Sequence, residues 1–272
     1  MSLHTQTVPG GPGRMVFLHG LMGRGKNFTR IAKDLSDDYT SLLVDLPDHG
    51  QSPWSKTFDY FRMADTAAAA IRSWLAAEPQ GPGTVVLVGH SMGGKVAMEL
   101  ALRHQDLISH LIVVDISPVR ASGSEDFDKL LGALEAIDLD RLESRAQADE
   151  QLRGPVPQLA TRGFLLQNLR PSRDDTGAVR FAWQPNLALL HASLDRLADF
   201  PDPHTGPYPG PVLWIKGERS SYVLPAYTAE MRRYFPRCTK ITIKGAGHWV
   251  HAEKPAEFVS AVRAFLDRSA DR

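Results

Sequence analysis

The segment Gly89, His90, Ser91, Met92, Gly93, Gly94 sets a serine between glycines two residues before it and two after it. G-x-S-x-G spacing builds a tight strand-to-helix turn that strains the serine and exposes its hydroxyl at a helix N-terminus. The flanks match this reading. Thr84 to Val88 is a β-branched, apolar run, and Met92 to Arg103 reads as helix. A short pattern of common residues means little in a loop and much between a strand and a helix. The chemistry it supports is attack by Ser91 on an acyl carbon.

A serine hydroxyl is a poor nucleophile near neutral pH and needs a base. His248 follows a β-rich run, Lys240 to Ile243, through Gly245, Ala246 and Gly247, a loop able to fold an imidazole over a sheet end. His104, His110 and His204 read as surface or helix-end side chains, and His248 and His251 stand too far from other ligand types for a metal site. An oxyanion needs two donors. The N–H of Met92, just after the nucleophile, supplies one, and that of Leu21, after the run Met15 to Leu18 and Gly20, supplies the other.

The acid that fixes the histidine tautomer is less direct. Asp115 ends the run Leu111 to Val114, which should lie beside the nucleophile strand. After the later run Val212 to Ile215 the chain reads Gly217, Glu218, Arg219, Ser220, so Glu218 is a rival. Ser220 carries no charge and cannot itself be that acid.

One further motif points to different chemistry. Gly20, Leu21, Met22, Gly23, Arg24, Gly25, Lys26 satisfies the phosphate-loop spacing G-x-x-x-x-G-K after a strand, and Asp45 could imitate a magnesium-binding aspartate. The next residue, Asn27, replaces the serine or threonine that would hold magnesium, and a nucleotide enzyme would leave Ser91 and His248 unexplained.

These groups need a scaffold. Apolar or β-branched runs at Met15 to Leu18, Ser41 to Val44, Thr84 to Val88, Leu111 to Val114, Val212 to Ile215 and Lys240 to Ile243 read as strands covered on both faces. Helical patterns such as Tyr60 to Ala77 lie between them, which predicts an α/β, doubly wound, mostly parallel sheet. Between about Ser117 and Pro211 the alternation stops. Three apolar helices are predicted there, around Phe127 to Ile137, Leu159 to Leu169 and Leu187 to Leu197, with Ser122 and Glu125 spaced as a capping box. A Pro- and Gly-rich linker then returns to the sheet. The expected organisation is a core over 1–117 and 211–272 with a helical cap over 118–210. Phe127, Leu130, Phe164, Leu165, Trp183 and Leu187 of the cap suit an acyl chain, and each fits an ordinary helical core as well.

The chain resembles the α/β-hydrolase superfamily, and within it the YbfF-type branch of bacterial acyl esterases. The resemblance runs through L-H-G-L-M-G, D-L-P-D-H-G-Q-S, G-H-S-M-G-G-K, V-V-D-I-S-P-V, F-L-L-Q-N-L, G-E-R-S-S-Y-V and G-A-G-H-W-V-H-A-E-K-P. It implies an α/β-hydrolase fold, Asp115 as the acid with Ser220 as an auxiliary in the slot most relatives give to an aspartate, and hydrolysis of an acyl ester or thioester through an acyl-enzyme. Ser91, where dehalogenases and epoxide hydrolases of this fold carry aspartate, argues against those chemistries. One departure is Pro47, Asp48 before His49 and Gly50, where relatives often carry arginine and asparagine. A receptor on the same scaffold is the rival of another class, but such proteins commonly lose a catalytic group, and all three are present here.

Composition sets the remaining bounds. The 272 residues are 43% hydrophobic and 23% charged, with 31 basic residues balanced by 31 acidic ones. Balanced charge without a basic run argues against nucleic-acid and membrane-surface partners and leaves a small-molecule ester or thioester as the partner. Nothing is as long as the ~20 apolar residues of a membrane span. The single cysteine, Cys238, excludes an internal disulfide. No secretion signal is evident, so a cytoplasmic monomer or homodimer needing neither cofactor nor metal is expected.

Overall fold

The computed structural model describes residues 2–77, 81–121, 124–173 and 179–270. The chain begins β1 (Thr5–Leu18), α1 (Thr29–Asp34), β2 (Tyr39–Val44), α2 (Tyr60–Ala77), β3 (Val85–His90), α3 (Met92–Arg103) and β4 (Ile108–Val114). Then come α4 (Ser124–Glu135), α5 (Arg145–Leu152), α6 (Leu159–Leu166), β5 (Leu169–Arg173), β6 (Val179–Trp183), α7 (Leu187–Ala192) and α8 (Leu194–Ala198). It closes with β7 (Val212–Gly217), α9 (Thr228–Tyr234), β8 (Cys238–Ile243), α10 (Val250–Glu253) and α11 (Pro255–Ala270).

Six strands form one sheet in the order β2-β1-β3-β4-β7-β8. Their continuous apolar runs have a direct cause. Alternate side chains leave opposite faces of a strand, and both faces are covered. Val16, Leu18, Leu87, Leu111 and Trp214 join the core under α2, α3 and α9. Met15, Phe17, Val88, Ile112 and Ile215 join a second core under α1 and α11. Every residue of β3 is buried, and each large aliphatic side chain so buried contributes roughly 1.5–3 kcal/mol.

Register fixes the site. Gly89 of β3 faces Val113 of β4, and His90 faces Val114; Val114 in turn faces Ile215 of β7. β3 and β4 therefore end level, β7 runs two residues further to Gly217, and the residues after β3 and β4 emerge side by side next to it.

Several expectations are corrected. The first strand starts at Thr5, ten residues before Met15. Its opening residues pair with β2 in falling order, Thr5 with Val44 and Val8 with Ser41, while Arg14 to Leu18 pair in rising order, Thr40 to Val44. One chain segment thus folds around both edges of β2. The glycines Gly10, Gly11 and Gly13 allow this, because a Cβ at Gly10 would lie 2.3 Å from the Tyr39 carbonyl oxygen.

The segment between β4 and β7 contains more than three helices. It adds the polar helix α5, capped by Ser144 Oγ on Gln147 N–H at 3.1 Å, and an antiparallel hairpin of β5 and β6. Leu169 begins β5 rather than ending a helix, and the last helical pattern breaks at Ser193 into α7 and α8. The hairpin is mostly exposed, so it has no buried apolar run to announce it. Ser122 of the expected capping box lies outside the described residues. Among the described residues no helix is long and apolar enough to cross a membrane.

Candidate active site

Ser91 sits between β3 and α3 with φ 53° and ψ −121°, a region that L-residues occupy at a cost of order 1–3 kcal/mol. Its surroundings hold it there. Ser91 N–H donates to Val114 O at 3.0 Å, and Ser91 O accepts from Gly94 and Lys95 N–H. A Cβ at Gly89 would stand 2.3 Å from Gly93 O, and one at Gly93 2.3 Å from His19 O. Both flanking glycines are therefore required by close backbone approach across the turn.

His248 reaches back from the loop between β8 and α10. Its Nε2 lies 2.9 Å from Ser91 Oγ, and its Nδ1 lies 2.8 Å from Asp115 Oδ2. The carboxylate can only accept, so Nδ1 carries the proton and Nε2 is left to accept from the serine. Asp115 is fully buried and also has positive φ, 53°. Gly217 N–H donates to its Oδ1 at 3.0 Å, and Ser220 Oγ donates a short hydrogen bond to its Oδ2. Glu218 is exposed and turned away, accepting from Gly245 N–H at 2.8 Å.

Leu21 occupies the turn between Gly20 and Gly23, closed by Gly23 N–H on Gly20 O at 2.9 Å. Met92 is the first residue of α3, where an N–H has no partner within the helix. Buried imidazoles support this floor. His19 donates from Nδ1 to Gly20 O at 2.8 Å and accepts Leu46 N–H at Nε2, 3.0 Å. His90 donates from Nε2 to the His248 carbonyl at 2.9 Å. Burial, then neighbouring His49, pushes His19 down to about 3; burial, then His248, pushes His251 down to about 3 as well. Burial likewise holds His90 well below the ordinary range. These three rings stay neutral and add no positive charge around the serine.

A cavity of about 220 Å³ opens over Ser91, with His248, Phe127, Leu130 and Phe164 in its walls. The other cap residues expected there do not line it. Leu165 and Leu187 are buried in the core, and Trp183 is packed against that core from the hairpin. Their positions on α6, β6 and α7 turn them inward, which helical spacing alone did not distinguish. Sequence reasoning also missed Tyr222, whose ring lies 4.5 Å from that of His248, and Trp249, 5.8 Å from Phe164. Adjacency to His248 was the available signal for Trp249; nothing local singled out Tyr222.

The phosphate-loop pattern is structural. Gly25 N–H donates to Asp45 Oδ1 at 2.7 Å, and Gln51 N–H to Oδ2 at 2.9 Å, so the aspartate is spent on backbone. Lys26 points to solvent.

The family model described as alpha/beta hydrolase fold matches residues 13–255, and the chain belongs to that family. Among its relatives is the mouse (Mus musculus) sn-1-specific diacylglycerol lipase ABHD11, 39% identical over 259 residues, covering 93% of this chain and 80% of that protein. Esterase YbfF of Escherichia coli (strain K12) is 30% identical over 253 residues, covering 93% and 92%. A solved structure titled "Marine microorganism esterase" superposes with a TM-score of 0.89 at 30% identity, covering 97% of this chain and 99% of that one.

Proposed function

We propose that this protein is a carboxylic ester hydrolase in which Ser91 is the nucleophile, His248 the general base and acid, and Asp115 the orienting acid. The observation that carries this reading is the continuous relay from Ser91 Oγ through His248 to Asp115, at 2.9 and 2.8 Å. His248 Nε2 takes the hydroxyl proton as Ser91 Oγ bonds to the ester carbonyl carbon. The oxygen that becomes anionic is stabilised by the N–H groups of Met92 and Leu21. Nε2 then gives its proton to the departing alcohol, leaving an acyl-enzyme, and water repeats the sequence to release the acid. Ser220 and Gly217 hold the Asp115 carboxylate while the imidazolium forms.

The relatives named esterase and lipase support hydrolysis of an ester by this machinery. Residues 118–210 act in this reading as a cap, supported by Phe127, Leu130 and Phe164 over the serine. We place the enzyme in the cytoplasm, in keeping with its single cysteine. A fluorophosphonate probe should add mass to the peptide containing Ser91, and Ser91→Ala should abolish both labelling and turnover of a panel of esters and acyl-thioesters. Labelling at another residue, with activity kept in Ser91→Ala, would refute the assignment.

A further inference from the structure

Two unequal cavities meet at Ser91. The larger, about 220 Å³, contains His248, Phe164 and Trp249 in its wall. The smaller, about 50 Å³, lies between α3 and α8, with Met92, Lys95, Ala121, Leu194 and Leu197 in its wall. Leu21, Ser91, Phe127 and Tyr222 border both.

The chemistry orients an ester across this junction. The leaving oxygen receives its proton from His248 Nε2, so the alcohol extends toward the imidazole, and His248 borders only the larger cavity. The carbonyl oxygen faces the N–H groups of Met92 and Leu21, and Met92 borders only the smaller one. The acyl chain continues from the carbonyl carbon away from the leaving group. We propose, on the ester-hydrolase reading above, that the smaller cavity is the acyl site and the larger the alcohol site. The preferred substrates are then short-chain acyl esters of bulky apolar alcohols.

The size limit follows from volume and from the wall. A water-sized atom group needs roughly 10–15 Å³ on this measure, so the smaller cavity takes an acyl chain of about four heavy atoms. Its far wall is the end of α8, and that end is fastened to the nucleophile helix. The Lys95 ammonium, almost fully buried, donates to the carbonyls of Leu197, Ala198 and Asp199 at 3.2, 2.5 and 2.8 Å. Tyr60 OH adds a fourth hydrogen bond to Leu197 O at 2.8 Å. A longer acyl chain must break this fastening. The larger cavity is edged by Phe164 and Trp249, whose rings offer an apolar surface to the alcohol.

The test varies acyl and alcohol parts independently, using unactivated primary alcohols so that leaving-group basicity stays constant. With a fixed hexyl alcohol, kcat/KM should fall roughly tenfold or more from butyrate to octanoate, and with a fixed butyryl group it should rise from ethyl to hexyl. Leu194→Ala should raise the octanoate-to-butyrate ratio roughly tenfold, and Ala121→Leu should lower the butyrate-to-acetate ratio. Phe164→Ala should change the alcohol preference instead. A wild type that prefers octanoate, or an acyl-length ratio that responds to Phe164→Ala and to neither Leu194→Ala nor Ala121→Leu, overturns the cavity assignment while leaving the hydrolase reading intact. Should Leu194→Ala fail to fold, Ala121→Leu decides alone. Folded protein that hydrolyses no ester removes both readings together.

Discussion

Asp115 illustrates how a single residue acquires its setting from its neighbours. It is the residue after β4, and the register that sets His90 beside Val114 puts it next to Ser91. Its carboxylate receives a backbone N–H from Gly217, a hydroxyl from Ser220 and the ring N–H of His248. Three donors thus converge on the carboxylate and hold it in place against the ring. Asp115→Asn should therefore keep the shape, lose the acceptor and cut kcat by a factor approaching ~10⁴, as in serine proteases whose aspartate is amidated. Ser220→Ala removes one of the three donors and should cost about 1 kcal/mol, close to fivefold in kcat/KM. Steady-state kinetics on one ester separates the two. Equal losses would mean that Ser220 does more than steady the carboxylate, and a nearly fully active Asp115→Asn would reassign the acid.

At the scale of an element, α3 brings three features of the structure onto one helix. Its N-terminus presents Ser91 and the Met92 N–H, and one turn later Lys95 holds the end of α8. After another turn, Glu99 is fully buried with neither carboxylate oxygen hydrogen-bonded. Desolvation raises Glu99 from 4.5 to about 8, and desolvation lowers Lys95 from 10.5 to about 7. For Glu99 the folded state keeps a proton that the unfolded chain loses above about 4.5. Stability contributed by this group therefore falls as pH rises from about 4.5 to 8 and is then level. Lys95 acts in the other direction, with stability rising between about 7 and 10.5. Glu99→Gln keeps Lys95 and removes only the first slope. Chemical denaturation should show little difference from wild type near pH 4.5 and a stabilisation on the order of a few kcal/mol at pH 8. A variant equally destabilised at both pH values would show that Glu99 has a partner it needs.

Across the whole molecule, the segment between β4 and β7 is joined to the rest of the chain by polar contacts at sites distant in sequence. Asn168 Nδ2 donates to Met22 O at 2.7 Å, next to the Leu21 turn. Asp48 has φ 66° and is buried. It accepts from Ser55 N–H, Ser55 Oγ and Asn186 Nδ2 at 2.6, 2.7 and 3.1 Å, and its own carbonyl accepts Asn186 N–H at 2.9 Å. Asp48→Asn retains a residue tolerant of positive φ but turns one acceptor into a donor facing donors. The expected loss is ~1–3 kcal/mol, with hydrogen exchange accelerated across α7 and unchanged in β3 and β4. Uniform acceleration would mean that α7 and the central sheet open as one unit.

Legible in the sequence were the buried part of each core strand, the turn at Ser91 and the arrival of His248 after the last strand, because these depend on local features; the Thr5 to Arg14 stretch of β1 was not. Apolar runs report burial on both sheet faces, and paired glycines report close backbone approach. Helices α2 and α3 were legible to the residue for the same reason. The exposed β5–β6 hairpin and the polar helix α5 were not, since neither buries enough apolar surface to leave a period. That Asp115 and not Glu218 lies against the His248 ring comes from the tertiary structure, as strand order and register set which carboxylate meets an imidazole more than a hundred residues away. Packing likewise sets which residues between β4 and β7 face the serine. Phe164 and Leu165 are adjacent on α6, yet one lines the cavity and the other is buried in the core. Hydrophobicity places a side chain out of water but not on a particular side of its helix. That choice belongs to the packing of α6 against the rest of the molecule.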